Sequence, residues 1–268
     1  MATQTATAMR MRTAPKATEA VPRSSFFFWS SGLLLSFLAI GFAPTLYLRA
    51  FFDVPPIPGY LYVHGGVLTA WFFWFVVQTT LVRTGRTTVH RRFGVIGAII
   101  AAAVLVAGPM ATRGFVARLR AHGIDWDTDM SAVPALGIEG VPMVQFAADV
   151  FWGNLVGIAV FAGLVVAAIL LRRNPQAHKR LMLLASIALV GPALARISRW
   201  PLFGGEDGPF VPIVFLGLLA VLIAYDVISA RRVHRATLIG CGVIVLALIA
   251  AQVIADSELG LAIVRMVG

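Results

Sequence analysis

Seven long apolar runs, separated by short polar joints, occupy the chain between residues 26 and 256. A helix rises about 1.5 Å per residue, so about 20 apolar residues cross the hydrocarbon core of a bilayer. The pattern therefore predicts an all-α fold, a polytopic transmembrane helix bundle with seven spans. The predicted spans are Phe26–Leu48, Tyr60–Val82, Phe93–Thr112, Val144–Leu171, Leu181–Ile197, Phe210–Ser229 and Thr237–Ala255.

The charge of the polar segments alternates along the chain, and this alternation predicts the orientation. The N-terminal tail and every second joint (83–92, 172–180 and 230–235) together hold 15 basic residues and a single acid, Glu19. The segments on the opposite side hold 7 basic and 9 acidic residues. Positively charged joints stay in the cytoplasm, so we expect the N-terminus inside and the C-terminus outside a bacterial cytoplasmic (inner) membrane.

The same pattern divides the chain into three regions. Residues 1–25 are rich in Ala and Thr and lack apolar periodicity, so we expect a disordered cytoplasmic tail. Residues 26–256 form the predicted seven-helix transmembrane domain, and residues 257–268 a short outer C-terminal tail.

The composition supports a membrane protein and excludes several other classes. Hydrophobic residues make up 59% of the chain and charged residues only 13%, too few to cover a soluble core. The net charge of +10 lies in short clusters between apolar runs, which indicates the lipid bilayer rather than nucleic acid as partner. No phosphate-binding glycine loop, HExxH motif or nucleophile elbow is present, which favours a role other than enzyme.

Two predicted spans resemble each other. Each begins beside a histidine in a basic joint, His90 or His178, and each carries G-P-x-x-x-R near its outer end, finishing at Arg113 or Arg196. This predicts repeated helical hairpins in the same orientation. The charge rule by itself accounts for the basic residues at the inner ends.

Polar side chains inside the spans are costly in lipid and are candidates for function. In the second span, helical spacing places His64, Trp71 and Gln78 on one face. In the fourth span, Asp149 and Asn154 lie at about the depth of His64. A His64–Asp149 contact would neutralise both groups and could relay a proton, or serve only as a structural hydrogen bond. These five residues form the predicted intramembrane polar site.

The inner side holds a second set of polar candidates. Asp226 lies near the inner end of the sixth span, and cytoplasmic arginines such as Arg231 are its expected ion-pair partners. The histidines His90, His178 and His234 open the third, fifth and seventh spans from the same side.

The stretch from His64 to Gly97 reads H-G-G-V-L-T-A-W…V-Q-T-T-L-V…V-H-R-R-F-G-V-I-G. It resembles a family of uncharacterised bacterial multi-span inner-membrane proteins that share a membrane His, a later Gln and H-R-x-x-G. That resemblance implies no activity.

A fainter similarity runs to transmembrane b-type cytochromes, in which two histidines from different helices ligate each haem. It implies a single inner haem b held by two of His90, His178 and His234, with those histidines as the metal ligands.

Three functions of different classes follow from these observations. The first is small-molecule or proton-coupled transport or sensing through the intramembrane polar site, with an unidentified small-molecule ligand. The second is electron transfer by a b-type haem membrane protein. The third is a structural or assembly subunit, either as a homo-oligomer or within a larger membrane complex.

Overall fold

The computed structural model describes residues 25–54, 56–121, 125–132, 140–200 and 209–268, and residues 1–24 of the predicted tail lie outside these ranges. The described residues form nine α-helices and no β-strand. The helices are α1 (Phe26–Phe42), α2 (Gly59–Arg83), α3 (Thr87–Ala121), α4 (Met143–Leu170), α5 (Pro175–Ala188), α6 (Gly191–Ser198), α7 (Phe210–Ala230), α8 (Arg235–Ala255) and α9 (Glu258–Val267).

Six helices are long and apolar enough to cross a membrane, and the bent pair α5–α6 counts as a seventh if the two helices form one span. The first of the six continues from α1 through a π-helical turn to Tyr47. Large apolar side chains such as Trp29, Ile99 and Leu246 are exposed on the helix surfaces, as expected for contact with lipid. The prediction of an all-helical, multi-pass membrane protein is confirmed at this level.

The central helix of the bundle is α5. Eight of its 14 residues are buried, and it packs against α1, α4, α7 and α8. Asn174 caps its start by accepting a hydrogen bond from the Ala177 amide at 3.2 Å. Protein rather than lipid surrounds α5, so polar side chains such as Arg180 and Ser186 can find partners on neighbouring helices.

The two G-P-x-x-x-R segments differ in structure. Pro109 lies inside the continuous helix α3, whereas Pro192 lies in the first turn of α6, after a bend of 45° from α5. Proline lacks an amide hydrogen, so it is tolerated at a helix start but removes a hydrogen bond from a helix interior. The shared sequence pattern therefore does not produce the same backbone path.

The largest differences from the predicted boundaries lie at the end of α3 and in the C-terminal tail. Helix α3 runs nine residues past its predicted end, to Ala121, and the predicted C-terminal tail is the helix α9. The Ser257 side chain caps α9 by accepting from the Gly260 amide at 3.0 Å. Trp152 of α4 donates to the Gly260 carbonyl at 3.2 Å, and Val264 is buried in a cluster with Val116. Helix α9 is too short to span a membrane, and the packing of its apolar face on α3 and α4 thus orders it.

We expect a methyl group at Gly41 to separate α1 from α6. A Cβ atom built there lies 2.5 Å from the Ala193 carbonyl oxygen, which is main chain and cannot rotate away. Gly41→Ala should therefore destabilise the protein by about 1–3 kcal/mol, the usual range for overpacking. Thermal unfolding in detergent measures the effect. The control is Gly32→Ala in the same helix, where no atom lies within 4 Å; equal losses in both variants would contradict the packing argument.

Candidate functional site

The inner histidine pair consists of His90 and His178, each the fourth residue of its helix, in α3 and α5. Their ring centres are 6.2 Å apart, and the ring planes meet at 76°. The chain separation of these residues means that only the packing of two hairpins brings the rings together. Of the three inner histidines, these two are neighbours.

Main-chain contact selects the tautomer of His178. Its Nδ1 lies 2.8 Å from the carbonyl oxygen of Ala168 in α4. A carbonyl oxygen only accepts, so Nδ1 carries the proton and Nε2 of the neutral ring has a free lone pair. Metal-ligating histidines are held in this way, with one ring nitrogen donating to a carbonyl group.

Gln78 holds the second ring of the pair. With its amide oriented to accept from Trp74 Nε1 at 3.3 Å, its nitrogen donates to His90 Nδ1 at 2.5 Å and to the His90 carbonyl at 3.2 Å. In this orientation the neutral His90 ring carries its proton on Nε2. Gln78, predicted as part of the intramembrane polar site, therefore belongs to the inner histidine pair.

A buried ion pair lies at the same end of the bundle. Asp226 Oδ1 accepts from Arg180 Nε at 2.8 Å and from Arg180 Nη2 at 2.5 Å, and both side chains are almost fully enclosed. Asp226 Oδ2 accepts from the Thr237 hydroxyl at 2.6 Å and from the His234 amide at 2.9 Å. The expected ion pair thus forms, with Arg180 rather than the exposed Arg231.

His234 serves as a helix cap. Its Nδ1 accepts a hydrogen bond from the Ala236 amide at 3.1 Å, at the start of α8. Burial and, after it, the charge of Arg180 lower the pKa of His234, which favours the neutral ring that this cap requires. His234 therefore has a structural role beside the ion pair and is not a neighbour of the other two histidines.

The outer carboxylate cluster consists of Asp149 and Asp256 with Gln145 and Gln252, at the opposite end of the bundle. Gln145 Nε2 donates to the Oδ1 atoms of Asp149 and Asp256, at 2.9 Å each. Gln252 Nε2 donates to the same two atoms, at 3.3 and 3.0 Å. Two carboxylates, one on α4 and one at the C-cap of α8, thus share two amide donors.

The remaining residues of the predicted polar site are dispersed. His64 and Asp149 form no contact among the described residues; the His64 ring instead hydrogen-bonds to the main chain of Ala107 in α3. Trp71 packs edge-on against Phe161 and donates to Ser186 at 3.3 Å, inside the core. Within the described ranges, Asn154 makes no side-chain hydrogen bond.

Sequence reasoning missed Gln145 and Asp256, although a signal was present. Both Gln145–Asp149 and Gln252–Asp256 are glutamine–aspartate pairs at i and i+4, a spacing that places the two side chains on one helix face. Two such pairs near the same membrane surface favour one joint cluster.

Three polar groups thus lie at the two ends of the bundle. The inner histidine pair and the buried ion pair lie at one end, and the outer carboxylate cluster lies at the other. Over the described residues, no three His, Cys, Asp or Glu side chains converge as a metal site. No protein-family model, no curated protein and no solved structure matches this chain.

Proposed function

We propose that the protein is an integral protein of a bacterial cytoplasmic membrane that binds one b-type haem between His90 and His178 and carries electrons. The observation behind this proposal is the spacing of the inner histidine pair. Histidine side chains on facing helices are the residues that would hold a haem iron in a helix bundle. The ring centres here are 6.2 Å apart.

The surroundings of His178 and the charges at this end of the bundle support haem ligation, whereas the hydrogen bonds of His90 oppose it. His178 already has the tautomer with a free Nε2 lone pair, fixed by the Ala168 carbonyl. In the structure the Gln78 nitrogen donates to His90 Nδ1, so Nε2 of His90 carries the proton. Ligation through Nε2 would require the Gln78 amide to turn and to give up its hydrogen bonds with Trp74 and with the His90 carbonyl. Exposed arginines surround this end of the bundle, among them Arg91 and Arg172, and they suit the haem carboxylates. Haem would supply one-electron chemistry, and His90 and His178 would hold it.

An absorbance spectrum of the purified protein tests the proposal. Reduction with dithionite should sharpen a Soret band and produce the α and β bands of a low-spin b-type haem with two histidine ligands. Extraction with acidic acetone should release the haem, because no cysteine pair is present to attach it covalently. A preparation from haem-supplemented cells without a Soret band would exclude electron transfer by haem.

The proposed topology has seven spans, with α5 and α6 together as the fifth. The N-terminus then lies inside and the C-terminus outside, as the charge of the joints favours. A C-terminal alkaline phosphatase fusion should be active, and a C-terminal green fluorescent protein fusion should be dark. The reverse result would exclude this orientation.

Proton-coupled transport or sensing is the second candidate, and the outer carboxylate cluster favours it. Two carboxylates that share the same amide donors repel each other when both are ionised, so one proton between them is favoured. Asp149→Asn should then abolish proton uptake into liposomes that contain the protein, without lowering its abundance. Unchanged uptake, or lost abundance, would leave the cluster a structural role.

A further inference from the structure

A cleft lies on the surface of the bundle between α1 and α7, and α5 forms its floor. Its volume is about 250 Å³, and apart from the Ser30 hydroxyl the side chains that line it are apolar. They include Leu34 and Phe37 of α1, Leu183 and Ile187 of α5, and Leu218 of α7. An apolar cavity of about 150 Å³ already holds a molecule of the size of benzene. The cleft therefore has room for several carbons of an apolar chain.

Gly217 of α7 belongs to the same lining and leaves part of the cleft open. A Cβ atom built on Gly217 meets no neighbouring helix or side chain within 4 Å, so space remains where most residues would place a side chain. Packed helices normally leave few such voids, because an empty apolar space forfeits dispersion contacts. In a membrane, an apolar group from outside the chain is therefore expected to fill the cleft.

The end of the cleft nearest the inner histidine pair carries a positive charge. Phe26, which belongs to the lining, stacks on Tyr225 with ring centres 4.1 Å apart, and the two rings bridge α1 and α7 there. Lys179 of α5 lies beside these rings. Its Nζ is 4.7 Å from the centre of the Phe27 ring and 5.9 Å from that of Tyr225. Aromatic side chains thus hold the ammonium group beside the end of the cleft.

The positive charge of Lys179 is not balanced by its surroundings. Within the described part of the chain no carboxylate lies at ion-pair distance from it, and its hydrogen-bond partner, the Tyr225 hydroxyl, is neutral. The carboxylate that acts on Lys179 belongs to Asp226, which already forms the ion pair with Arg180. The joint 172–180 adds two further arginines and no acid. This end of the cleft therefore attracts an anion near the membrane surface.

We propose that the cleft binds an anionic phospholipid, with one acyl chain over α5 between α1 and α7 and the phosphate near Lys179. The apolar cleft and the cation are adjacent, which matches the chain and the charged headgroup of one lipid molecule. A zwitterionic lipid offers the same chain without net charge, so the anionic lipid is preferred. In the proposed topology this lipid belongs to the inner leaflet. The site contains neither proposed haem ligand, so it does not depend on haem.

Native mass spectrometry of the full chain in a mild detergent measures the bound lipid. Delipidated protein is titrated with phosphatidylglycerol, or with phosphatidylcholine of the same acyl chains. We expect one phosphatidylglycerol to be retained, and phosphatidylcholine to bind about fivefold more weakly. Lys179→Gln should weaken phosphatidylglycerol by the same factor and leave phosphatidylcholine unaffected. The matched control is Arg86→Gln, which removes an exposed arginine from the joint between α2 and α3 and should change neither lipid.

Gly217→Leu tests the cleft itself. The added side chain should occupy the space of the acyl chain and weaken both lipids about tenfold. Its control is Gly32→Leu in α1, where the new side chain also meets open space but lies outside the lining, so binding should not change. If Gly217→Leu does not fold, Gly217→Ala carries the test. Its methyl group meets no neighbour within 4 Å and should weaken both lipids by a smaller factor.

The proposal is overturned if the wild type retains no phosphatidylglycerol or retains phosphatidylcholine equally well. It is also overturned if the Lys179 variant or the Gly217 variants bind phosphatidylglycerol as the wild type does. A dimer that Gly217→Leu dissociates would place a second copy of the chain in the cleft, and this result would overturn the proposal as well.

Discussion

Asp226→Leu should lower the free energy of unfolding by about 3–5 kcal/mol, the range for removing one partner of a buried ion pair. The substitution leaves the Arg180 cation enclosed without a counter-ion, since its side chain is only 3% exposed. It also removes the acceptor for the Thr237 hydroxyl and the His234 amide, at the start of α8. One carboxylate thus joins α5, α7 and α8, and its loss should loosen all three.

Thermal unfolding in dodecyl maltoside, followed by circular dichroism, measures this effect. The double variant Arg180→Met with Asp226→Leu should lose less stability than Asp226→Leu alone, because no buried charge remains. The matched control is Arg265→Ala. It breaks an ion pair of similar length, 2.6 Å, whose side chains are 44% and 76% exposed. Exposed pairs contribute about 0–1 kcal/mol, so a large effect there would contradict the role given to burial.

His178→Gln and His90→Gln should each abolish the low-spin haem spectrum, the second large effect that we expect. If the proposed haem is bound, each variant would remove one of the two histidines that hold it, and a haem with a single histidine would be held weakly and become high-spin. Glutamine keeps a polar side chain at both positions, so the helix starts should remain intact. The measurement is the reduced-minus-oxidised spectrum, together with the haem content per protein.

The control for these variants is His234→Asn, which keeps a capping side chain at the start of α8. Its haem content should equal that of the wild type. Loss of haem in all three variants would indicate a general folding defect. Full haem content in either His90→Gln or His178→Gln would mean that the ligands lie elsewhere.

The six long apolar helices can be predicted from the sequence, because such helices leave a local signal, a run of about 20 apolar residues. The central helix is the exception. Polar residues make the apolar run of the fifth predicted span short, and the Gly191–Pro192 step divides this segment into α5 and α6. The helix α9 also escapes prediction, because burial on α3 and α4 orders it rather than its own length.

Contacts within the candidate sites could be predicted only in part. Local rules apply to pairs such as Gln145–Asp149, four residues apart on one helix. They do not apply to Arg180 and Asp226, which are 46 residues apart, or to His90 and His178. His64 and Asp149 were expected at a similar depth in the bilayer. Depth alone does not specify which faces of two helices contact each other. Helix packing therefore decides the partners, and the packing depends on the whole bundle.

The enclosed position of α5 has a consequence for how the protein is made. Ribosomes deliver α5 to the translocon before α7 and α8, so the Arg180 cation emerges well ahead of its counter-ion Asp226. A lone cation inside lipid is strongly disfavoured. In the proposed topology, we therefore expect α5 to remain at the cytoplasmic face, or in transient contact with the translocon, until α7 and α8 arrive and pack around it. A cysteine introduced into α5 of nascent chains stalled before residue 226, which lack the native Cys241, should then be accessible to thiol reagents from the cytoplasm.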